Sequence, residues 1–410
     1  MHVTHLSLSN YRNYGRLELT LPSGATLFHG NNAQGKTNLL EALYYLSTTR
    51  SPHASHDSQM INWEVMEDPA PIYVARLVAN VTTKQDTKQL EMRLIKVPKG
   101  PGNKGFRREA LVNNRKVRLM DMLGQLQVVM FLPEDVNLIT ESPNKRRRYL
   151  NIMLCQVDRD YCRYLAQYNK VIDQRNAVLR QFAEGFGDQN VLGVFTDRLI
   201  ELGSKIYARR SKFFSEIGRT TQRYHYEELT GRQETLRIGY LPRMYAGQNG
   251  ADLDTAASLA AWLDIHHDDP DTIAERFANE LSNASSNDKA RGVTSLGPHR
   301  DDWSFWIDGR NLSNYGSRGQ QRSAILATKL AEIEWMAGIT GEKPILLLDE
   351  VLAELDQNRR NLLLRTVQNA EQALLTATDP GMFSDDFLTN ATSMCVSMGQ
   401  IEQDKEFRSP

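Results

Sequence analysis

The arrangement of apolar and polar residues changes along the chain. In the first part, apolar positions such as Leu17 and Leu19 alternate with polar ones, which predicts half-buried strands. The short apolar segment at residues 26–29 leads directly to Gly30, and apolar residues recur at helical spacing after Thr37. This region therefore predicts a strand, a glycine-rich turn and a helix, in that order.

From about residue 143 the apolar residues follow a helical period over a long stretch. The positions that share this stripe, in steps of three and four, are Leu150, Leu154, Val157, Tyr161, Tyr164, Tyr168 and Val171. Residues 184–188 interrupt the pattern, and a second stripe runs from Leu192 to Ile206. We expect one long helix and a second one, joined by a turn into an antiparallel hairpin that packs as a helical subdomain.

A segment at residues 243–289 differs in composition from its surroundings. Between residues 251 and 289, nine acidic residues stand against two basic ones, for a local charge of −7. Asp269 and Pro270 precede an apolar stripe, so we expect one capped helix in an otherwise polar, acidic insert. Its purpose does not follow from the sequence.

Composition excludes several classes of protein. Of the 410 residues, 40% are hydrophobic and 24% charged, which is typical of a globular chain of two or three domains. No apolar run approaches the roughly 20 residues of a membrane span, and no signal peptide is evident at the start. The three cysteines form no CxxC pair, which argues against a zinc site and indicates a cytoplasmic protein. The net charge of −1 means that contact with nucleic acid would depend on local basic patches.

One segment matches the phosphate-binding pattern GxxxxGK[ST] in full. Its residues are Gly30, Asn31, Asn32, Ala33, Gln34, Gly35, Lys36 and Thr37. The glycines allow backbone N–H groups to surround a phosphate, and the following helix adds the positive end of its dipole. We expect Lys36 to reach the β- and γ-phosphates of ATP and the Thr37 hydroxyl to bind Mg²⁺. A chance glycine turn does not explain the strand before the motif or the helix after it.

A second segment, residues 345–350, is an apolar strand that ends in two carboxylates. Asp349 fits the Walker B role of binding Mg²⁺. The adjacent Glu350 is placed to act as the general base that activates an attacking water. Such a strand is common by itself, and it indicates an ATPase because a P-loop is present in the same chain.

Residues 317–321 precede a predicted helix and suggest a second anion site. Ser and Gly at a helix N-terminus bind anions, although they are also ordinary capping residues. Because the P-loop already serves this chain's own nucleotide, we expect Ser317 to contact the γ-phosphate of a nucleotide bound to another copy. Residues 354–356 follow Walker B at the spacing of a D-loop.

Together these motifs resemble the ATPase heads of the ABC and SMC class, and within that class the RecF family of bacterial DNA replication and repair ATPases. The stretches that carry the resemblance are residues 10–14, 32–42, 133–135, 142–148, 297–302 and 319–322. The resemblance implies an α/β fold: an ABC-type P-loop ATPase head of two lobes with an inserted helical arm subdomain. The expected division is an N-terminal lobe with the P-loop (1–140), a helical arm with the acidic insert (141–290), and a C-terminal lobe with signature, Walker B and D-loop (291–410).

The resemblance also implies a function. The family binds ATP with Mg²⁺, forms an ATP-dependent homodimer that clamps DNA at a single-strand gap or duplex junction, and acts as a weak, DNA-stimulated ATPase switch. RecO and RecR are the implied protein partners, in recombinational repair, replication restart and the SOS response. Arg12 and Asn13 match positions that approach the nucleotide in such heads. Transporter ATPases carry a switch histidine after the strand that here spans residues 373–377, but Thr378 and Asp379 follow it.

Two basic clusters are the candidate DNA contacts. The first, with a net charge of +5 between residues 104 and 118, contains Lys104, Arg107, Arg108, Arg115, Lys116 and Arg118. The second consists of Lys145, Arg146, Arg147 and Arg148. Such clusters neutralise phosphates without reading bases, but charge runs are also common on solvated surfaces. The resemblance favours DNA.

Three other functions compete with this interpretation. A transporter subunit would carry the switch histidine and have membrane partners. The second alternative is a small-molecule P-loop kinase or GTPase, but the Asn-Lys-x-Asp motif that binds guanine is absent. A structural clamp would bind ATP with hardly any turnover, and steady-state ATPase assays with and without duplex DNA distinguish it from a switch.

Overall fold

The computed structural model describes residues 1–67, 70–97, 105–247 and 253–403. The strands are β1 (His2–Tyr11), β2 (Tyr14–Thr20), β3 (Gly24–His29), β4 (Tyr73–Thr82), β5 (Thr87–Lys96), β6 (Phe106–Val112), β7 (Arg115–Val117), β8 (Val128–Phe131), β9 (Leu236–Leu241), β10 (Asp302–Ile307), β11 (Arg310–Asn311), β12 (Ile345–Asp349), β13 (Gln372–Ala377), β14 (Thr392–Ser397) and β15 (Gln400–Gln403).

The α-helices are α1 (Lys36–Thr48), α2 (Leu119–Met122), α3 (Asn137–Thr140), α4 (Pro143–Val157), α5 (Arg159–Ala183), α6 (Gln189–Arg223), α7 (Leu253–His266), α8 (Pro270–Arg291), α9 (Leu312–Tyr315), α10 (Arg318–Thr340), α11 (Gln357–Gln368) and α12 (Asp385–Asn390). A π-helical turn, Tyr224–Leu229, follows α6. Among the helices in the described ranges, none combines the length and the apolar character needed to cross a membrane.

The chain divides into two compact units. The first unit comprises residues 1–135 and 332–410, and the second comprises residues 136–331. Strand β10 pairs with β9 along its whole length, so residues 291–331 group with the helical arm. The compact units therefore differ from the three-part division expected from the sequence, because strand pairing joins segments that are distant along the chain.

The first unit contains two sheets with α1 between them. One sheet is antiparallel, in the order β2-β1-β4-β5-β6-β7. The other has the order β15-β14-β3-β13-β12-β8 and is parallel from β14 to β8. Helix α1 contacts strands of both sheets, and Leu39, Leu40 and Leu43 on it are buried. Strands β12 and β13 are buried throughout and mainly apolar, as expected where both faces of a parallel sheet are covered.

The second unit contains the predicted helical hairpin. Helices α5 and α6 pack against each other and are joined by the turn at residues 184–188, as expected. The expectation of one long first helix is wrong, because Asp158 adopts an extended conformation between α4 and α5. Its side chain caps α5 by accepting a hydrogen bond from the Tyr161 N–H at 2.8 Å. The apolar stripe continues across the break because a single capping residue changes its spacing very little.

The acidic insert contains two helices where the sequence predicted one. Helix α8 begins directly after Asp269, which caps it as expected. Helix α7 was not expected, because its buried side is short and is formed mainly by Ala256, Leu259 and Leu263. These side chains bring α7 against α6 and β9, so this part of the insert is packed and not merely polar.

Candidate nucleotide-binding site

The P-loop connects β3 to α1 and requires glycine at two positions. Gly30 has φ +143°, and a Cβ atom there would lie 2.4 Å from the carbonyl oxygen of Val396. Gly35 has φ +113°, and its Cβ would lie 2.5 Å from Nδ2 of Asn13. Any other residue would therefore combine an unfavourable backbone conformation with a steric clash.

The turn between β1 and β2 supports the P-loop from outside. The Asn13 amide donates to the carbonyl of Gln34 at 2.9 Å, and the Tyr14 hydroxyl donates to the carbonyl of Gly35 at 3.0 Å. Asn38 on α1 in turn donates to Oδ1 of Asn13 at 2.7 Å. Asn13 thus fixes the shape of the loop, and the sequence alone did not reveal this role.

Lys36 is buried and lies at the centre of the loop. Its Nζ donates to the carbonyl oxygens of Gly30 and Asn31, at 2.7 and 3.0 Å. The same Nζ lies 3.3 Å from Oε1 of Glu350. The ammonium therefore sits between the P-loop backbone and the predicted general base, where a positive charge can contact phosphate oxygens.

The structure brings Thr37 and Asp349 together although 312 residues separate them. The Thr37 hydroxyl donates to Oδ1 of Asp349 at 3.0 Å, and the Thr376 hydroxyl donates to the same oxygen at 2.7 Å. Burial raises the pKa of Asp349 above the ordinary value for an aspartate, while the two hydroxyls act in the opposite direction. A nearby cation would favour the ionised carboxylate.

These two side chains fit a magnesium ion. Mg²⁺ prefers oxygen ligands and is usually held by one or two carboxylates together with substrate phosphates. The Thr37 hydroxyl and the Asp349 carboxylate supply such oxygens beside the P-loop. In the part of the chain that the structure describes, no cluster of three or more His, Cys, Asp or Glu side chains could hold a metal by itself. Phosphates of a bound nucleotide would therefore complete the coordination.

Glu350 adopts a left-handed backbone conformation, with φ +50°. This conformation is uncommon outside glycine and asparagine, and it costs about 1–3 kcal/mol. The Glu350 N–H donates to the Thr376 hydroxyl at 3.0 Å, which holds the strained residue in place. The carboxylate of Glu350 lies 3.3 Å from Nζ of Lys36, and its role as the general base stays a prediction.

Arg12, which the family resemblance placed near the nucleotide, forms a bidentate ion pair with Glu41 on α1. Its Nε and Nη2 donate to the two carboxylate oxygens, each at 2.7 Å. Burial alone would raise the pKa of Glu41, but hydrogen bonds from Arg12 and Ser51 outweigh it and hold that pKa below its ordinary value. The pair fixes α1 and the loop after it. A direct contact of Arg12 with nucleotide stays a prediction.

The signature segment in the second unit begins a helix, as predicted, because α10 starts at Arg318. Ser317 and Gln320 form a capping box: the Gln320 N–H donates to Oγ of Ser317 at 3.2 Å, and the Ser317 N–H donates to Oε1 of Gln320 at 2.9 Å. The Gln320 amide also donates to Glu234 at 2.8 Å. Ser317 is therefore a helix cap within this chain, and its contact with another copy's nucleotide stays a prediction.

In the first basic cluster, neighbouring arginines point to opposite faces of the sheet. Arg107 on β6 is 63% exposed. Arg108 is 23% exposed and contacts Asp57 and the carbonyl of Thr49, at 2.8 and 3.1 Å. The other exposed members of this cluster are Arg115, Lys116 and Arg118. Lys104 lies outside the described residues.

In the second basic cluster, two arginines form hydrogen bonds with other residues of the second unit. Arg146 is 11% exposed, and its guanidinium donates to both carboxylate oxygens of Asp302, at 2.7 and 2.8 Å. Arg147 donates to the carbonyl of Asp301. The exposed members are Lys145, which pairs with Glu141, and Arg148. The sequence did not indicate this structural use of Arg146 and Arg147.

The segment at residues 297–302 supplies a buried polar core. Asp301 accepts hydrogen bonds from Arg210 and Tyr240 at 2.7 and 2.6 Å. His299 contacts the Tyr168 hydroxyl through Nδ1 at 2.9 Å and the carbonyl of Thr294 through Nε2. Burial lowers the pKa of His299 to about 3, so the imidazole is neutral at physiological pH. All of these partners belong to the second unit, so the hydrogen bonds stabilise that unit from within.

Comparisons with known proteins show the family to which this chain belongs. A family model described as the RecF/RecN/SMC N terminal domain matches residues 2–401. The protein named DNA replication and repair protein RecF from Chloroflexus aurantiacus is 38% identical over 411 residues, which cover 98% of this chain and 99% of the relative. Two solved structures of the recombination mediator protein RecF in the RecFOR pathway, described as RecF-ATPrS and RecF-ATP, match with TM-scores of 0.80 and 0.79. Both proteins are 28% identical in sequence to this chain. Each match covers 98% of this chain, and the two matches cover 98% and 97% of the respective solved chains. The resemblance and the fold class expected from the sequence are thus confirmed, and the chain belongs to the RecF family of the RecF/RecN/SMC class.

Proposed function

We propose that this chain is an ATP-dependent DNA-binding protein that acts in DNA replication and recombinational repair. The observation that carries the proposal is the contact of Thr37 with Asp349, beside the contact of Lys36 with Glu350. It joins a P-loop to two carboxylates in the arrangement that nucleotide hydrolysis requires. The name of the relative and the ATP-bound state of the solved structures support the same conclusion.

Each residue of the site has a distinct task in hydrolysis. Lys36 and the N–H groups of the P-loop bind the phosphates and orient the γ-phosphate. Thr37 and Asp349 would hold Mg²⁺, which when bound would neutralise the charge that develops on the phosphate oxygens. Glu350 accepts the proton of the attacking water. Because Thr378 and Asp379 follow β13, where transporter ATPases carry the switch histidine, we expect slow turnover.

The working form is an ATP-dependent homodimer. Ser317 of one copy would contact the γ-phosphate held by Lys36 of the other, so the two sites form reciprocally. The closed dimer would clamp DNA at a single-strand gap or duplex junction, through the exposed basic residues Arg107, Arg115, Lys116, Arg118, Lys145 and Arg148. Hydrolysis would reopen it, and DNA would stimulate this step.

The partners follow from the family. The RecFOR pathway, to which the two solved structures belong, suggests RecO and RecR as the proteins that act with this chain. The protein would act on DNA in the cytoplasm. The processes it would serve are recombinational repair, replication restart and the SOS response.

Sizing the protein by light scattering, in the absence of nucleotide and with ADP, ATP, or ATP plus gapped duplex DNA, tests this function. We expect monomers without nucleotide and with ADP, and dimers with ATP that DNA stabilises further. Lys36→Ala is the control, since it removes the phosphate contact and is expected to stay monomeric. The same size under all conditions, together with no measurable ATP binding, would contradict the proposal.

A further inference from the structure

A turn after β8 reaches the same edge of the parallel sheet as Asp349. Strand β8 pairs in parallel with β12, with Phe131 opposite Leu348. Residues after these two positions therefore emerge side by side. The turn is fixed by Asp135, whose side chain accepts a hydrogen bond from the Leu132 N–H at 2.7 Å. Glu134 projects from this turn and is about half exposed.

A histidine from another segment meets Glu134 at this edge. Nδ1 of His53 lies 3.6 Å from Oε1 of Glu134, and the His53 side chain is 28% exposed. His53 belongs to the loop that follows α1, whereas Glu134 follows β8. Two segments that are distant in sequence thus converge beside the Walker B strand.

The loop that carries His53 is anchored to the P-loop helix. The backbone N–H of His53 donates to Oγ of Ser51 at 3.0 Å, and the Ser51 hydroxyl donates to Glu41. Glu41 is one helical turn beyond Thr37 and is fixed by Arg12. His53 is therefore held close to the phosphate-binding end of α1 and not on a free loop.

Electrostatics agrees with this placement. The pKa of Asp349 is raised chiefly by burial, and the charge of His53 is one of the influences that lower it. His53 therefore lies close enough to the Walker B carboxylate for the two charges to interact. The next strand, β13, offers no histidine at its end, because Thr378 and Asp379 follow it.

We propose that His53, oriented by Glu134, is a residue of the nucleotide site that contacts the γ-phosphate of ATP. With Nδ1 directed at Glu134, the other ring nitrogen, Nε2, is left to donate a hydrogen bond to a phosphate oxygen. ADP lacks that phosphate, so His53 distinguishes ATP from ADP. This inference rests on the proposed function and assigns to the loop after α1 a role that transporter ATPases give to the residue after β13.

The test compares His53→Ala and His53→Gln with the wild type in Mg²⁺. We measure kcat and KM for ATP hydrolysis and the dissociation constants of ADP and of a non-hydrolysable ATP analogue. For His53→Ala we expect kcat to fall by about 10²-fold, as for the loss of one hydrogen-bond donor to a reacting oxygen. Affinity for the analogue is expected to fall several-fold, with ADP affinity unchanged. His53→Gln can donate from its amide, so it is expected to recover part of kcat.

The matched control is His5→Ala. His5 forms another His–Glu pair in the first unit, with Nε2 3.2 Å from Oε2 of Glu18 on the antiparallel sheet. We expect its kinetics and nucleotide affinities to equal those of the wild type. Thermal melting of each variant checks that the fold is intact.

Three outcomes would overturn the inference. They are a wild-type kcat in His53→Ala, an equal loss of affinity for ADP and the ATP analogue, and no recovery in His53→Gln. If Lys36→Ala abolishes ATP binding while His53→Ala keeps wild-type values, this inference fails and the proposed function stands. If the folded wild-type protein binds no ATP, the proposed function itself fails.

Discussion

Oδ1 of Asp349 accepts a hydrogen bond from the Thr37 hydroxyl, across 3.0 Å and 312 residues of sequence. This single contact joins the phosphate-binding loop to the Walker B strand. The carboxylate of Asp349 is buried, and burial raises its pKa. A bound cation would compensate the charge of this carboxylate. The negative charge of Asp349 therefore favours Mg²⁺ binding but lowers the stability of the chain without a cation.

Asp349→Asn tests these two effects of the charge on ATP turnover and on stability. The amide keeps the shape of the side chain but removes the charge that holds Mg²⁺. We expect ATP turnover to fall by at least about 10²-fold. Stability without nucleotide is expected to stay equal or to rise by about 1 kcal/mol, because a buried charge is lost. Asp379→Asn, at the end of the adjacent strand, is the control, and kinetic assays with urea unfolding measure both quantities. A marked loss of stability in Asp349→Asn would show that its charge is structural.

Glu350→Gln addresses the general base. The substitution keeps the size of the side chain but removes its basicity, so we expect turnover to fall by about 10²–10⁴-fold while ATP still binds. The ATP-bound dimer is expected to persist longer than that of the wild type. Single-turnover hydrolysis and sizing after removal of free ATP measure these effects. Unchanged turnover would assign the base to another residue.

Ser317 has two predicted roles that different substitutions separate. Ser317→Ala removes the oxygen that caps α10, so we expect the free energy of unfolding to fall by about 1 kcal/mol. Ser317→Arg is expected to leave the ATP affinity of the single chain nearly unchanged, since the P-loop is intact, and to abolish dimerisation. Isothermal titration and sizing measure the two effects.

Mixing Ser317→Arg with Lys36→Ala tests whether the serine acts between copies. In a mixed dimer one composite site contains intact Lys36 and intact Ser317, and the other lacks both. We expect partial recovery of association in the mixture and none in either variant alone. Loss of ATP binding by the Ser317→Arg monomer itself would place the serine in its own chain's site.

Arg107 and Arg108 form a natural matched pair for DNA binding. If exposed Arg107 contacts a phosphate, Arg107→Gln is expected to reduce the slope of log K against log salt by about 0.9 and to weaken binding without sequence preference. Arg108→Gln is expected to leave that slope unchanged and to lower stability instead, because Asp57 loses its partner. Fluorescence anisotropy over a salt series measures the slopes. Equal effects of both substitutions on the slope would contradict the assignment.

The neutral His299 predicts a loss of stability in acid. Its pKa is about 3 in the folded chain and about 6.5 when unfolded, so between these values the unfolded state binds the extra proton. The contribution is complete above about pH 6.5 and declines by up to about 1.4 kcal/mol for each pH unit below it. His299→Gln can keep both hydrogen bonds and does not titrate, so its stability is expected to lack this decline. Urea unfolding from pH 7 to 4 gives the difference between the two proteins.

The sequence predicted those features that depend on neighbouring residues along the chain. The strand, P-loop and helix around Lys36 and the strand before Asp349 follow directly from the spacing of apolar residues, and the structure confirms them. The capped start of α8 after Asp269 follows in the same way. These features depend on a few consecutive residues, so tertiary contacts do not alter them.

What the sequence could not supply depends on distant partners. Arg146 was a candidate DNA contact because it lies among basic residues, yet Asp302, 156 residues away, is its partner. The alternation along β6 could have separated Arg107 from Arg108, since successive side chains of a strand point to opposite faces. His53 gave no signal at all, because its neighbour Glu134 approaches only when β8 pairs with β12.

The position of β3 has a consequence for the synthesis of the protein. Both strands that flank it, β13 and β14, come from residues 372–397, and β14 also supplies the carbonyl of Val396 against Gly30. At a translation rate of roughly 5–20 residues per second, β13 and β14 are therefore synthesised on the order of tens of seconds after β3. Until then it is an apolar strand with open edges, which favours aggregation and chaperone binding. We therefore expect a nascent chain on the ribosome to bind ATP through this site only after β13 and β14 have emerged.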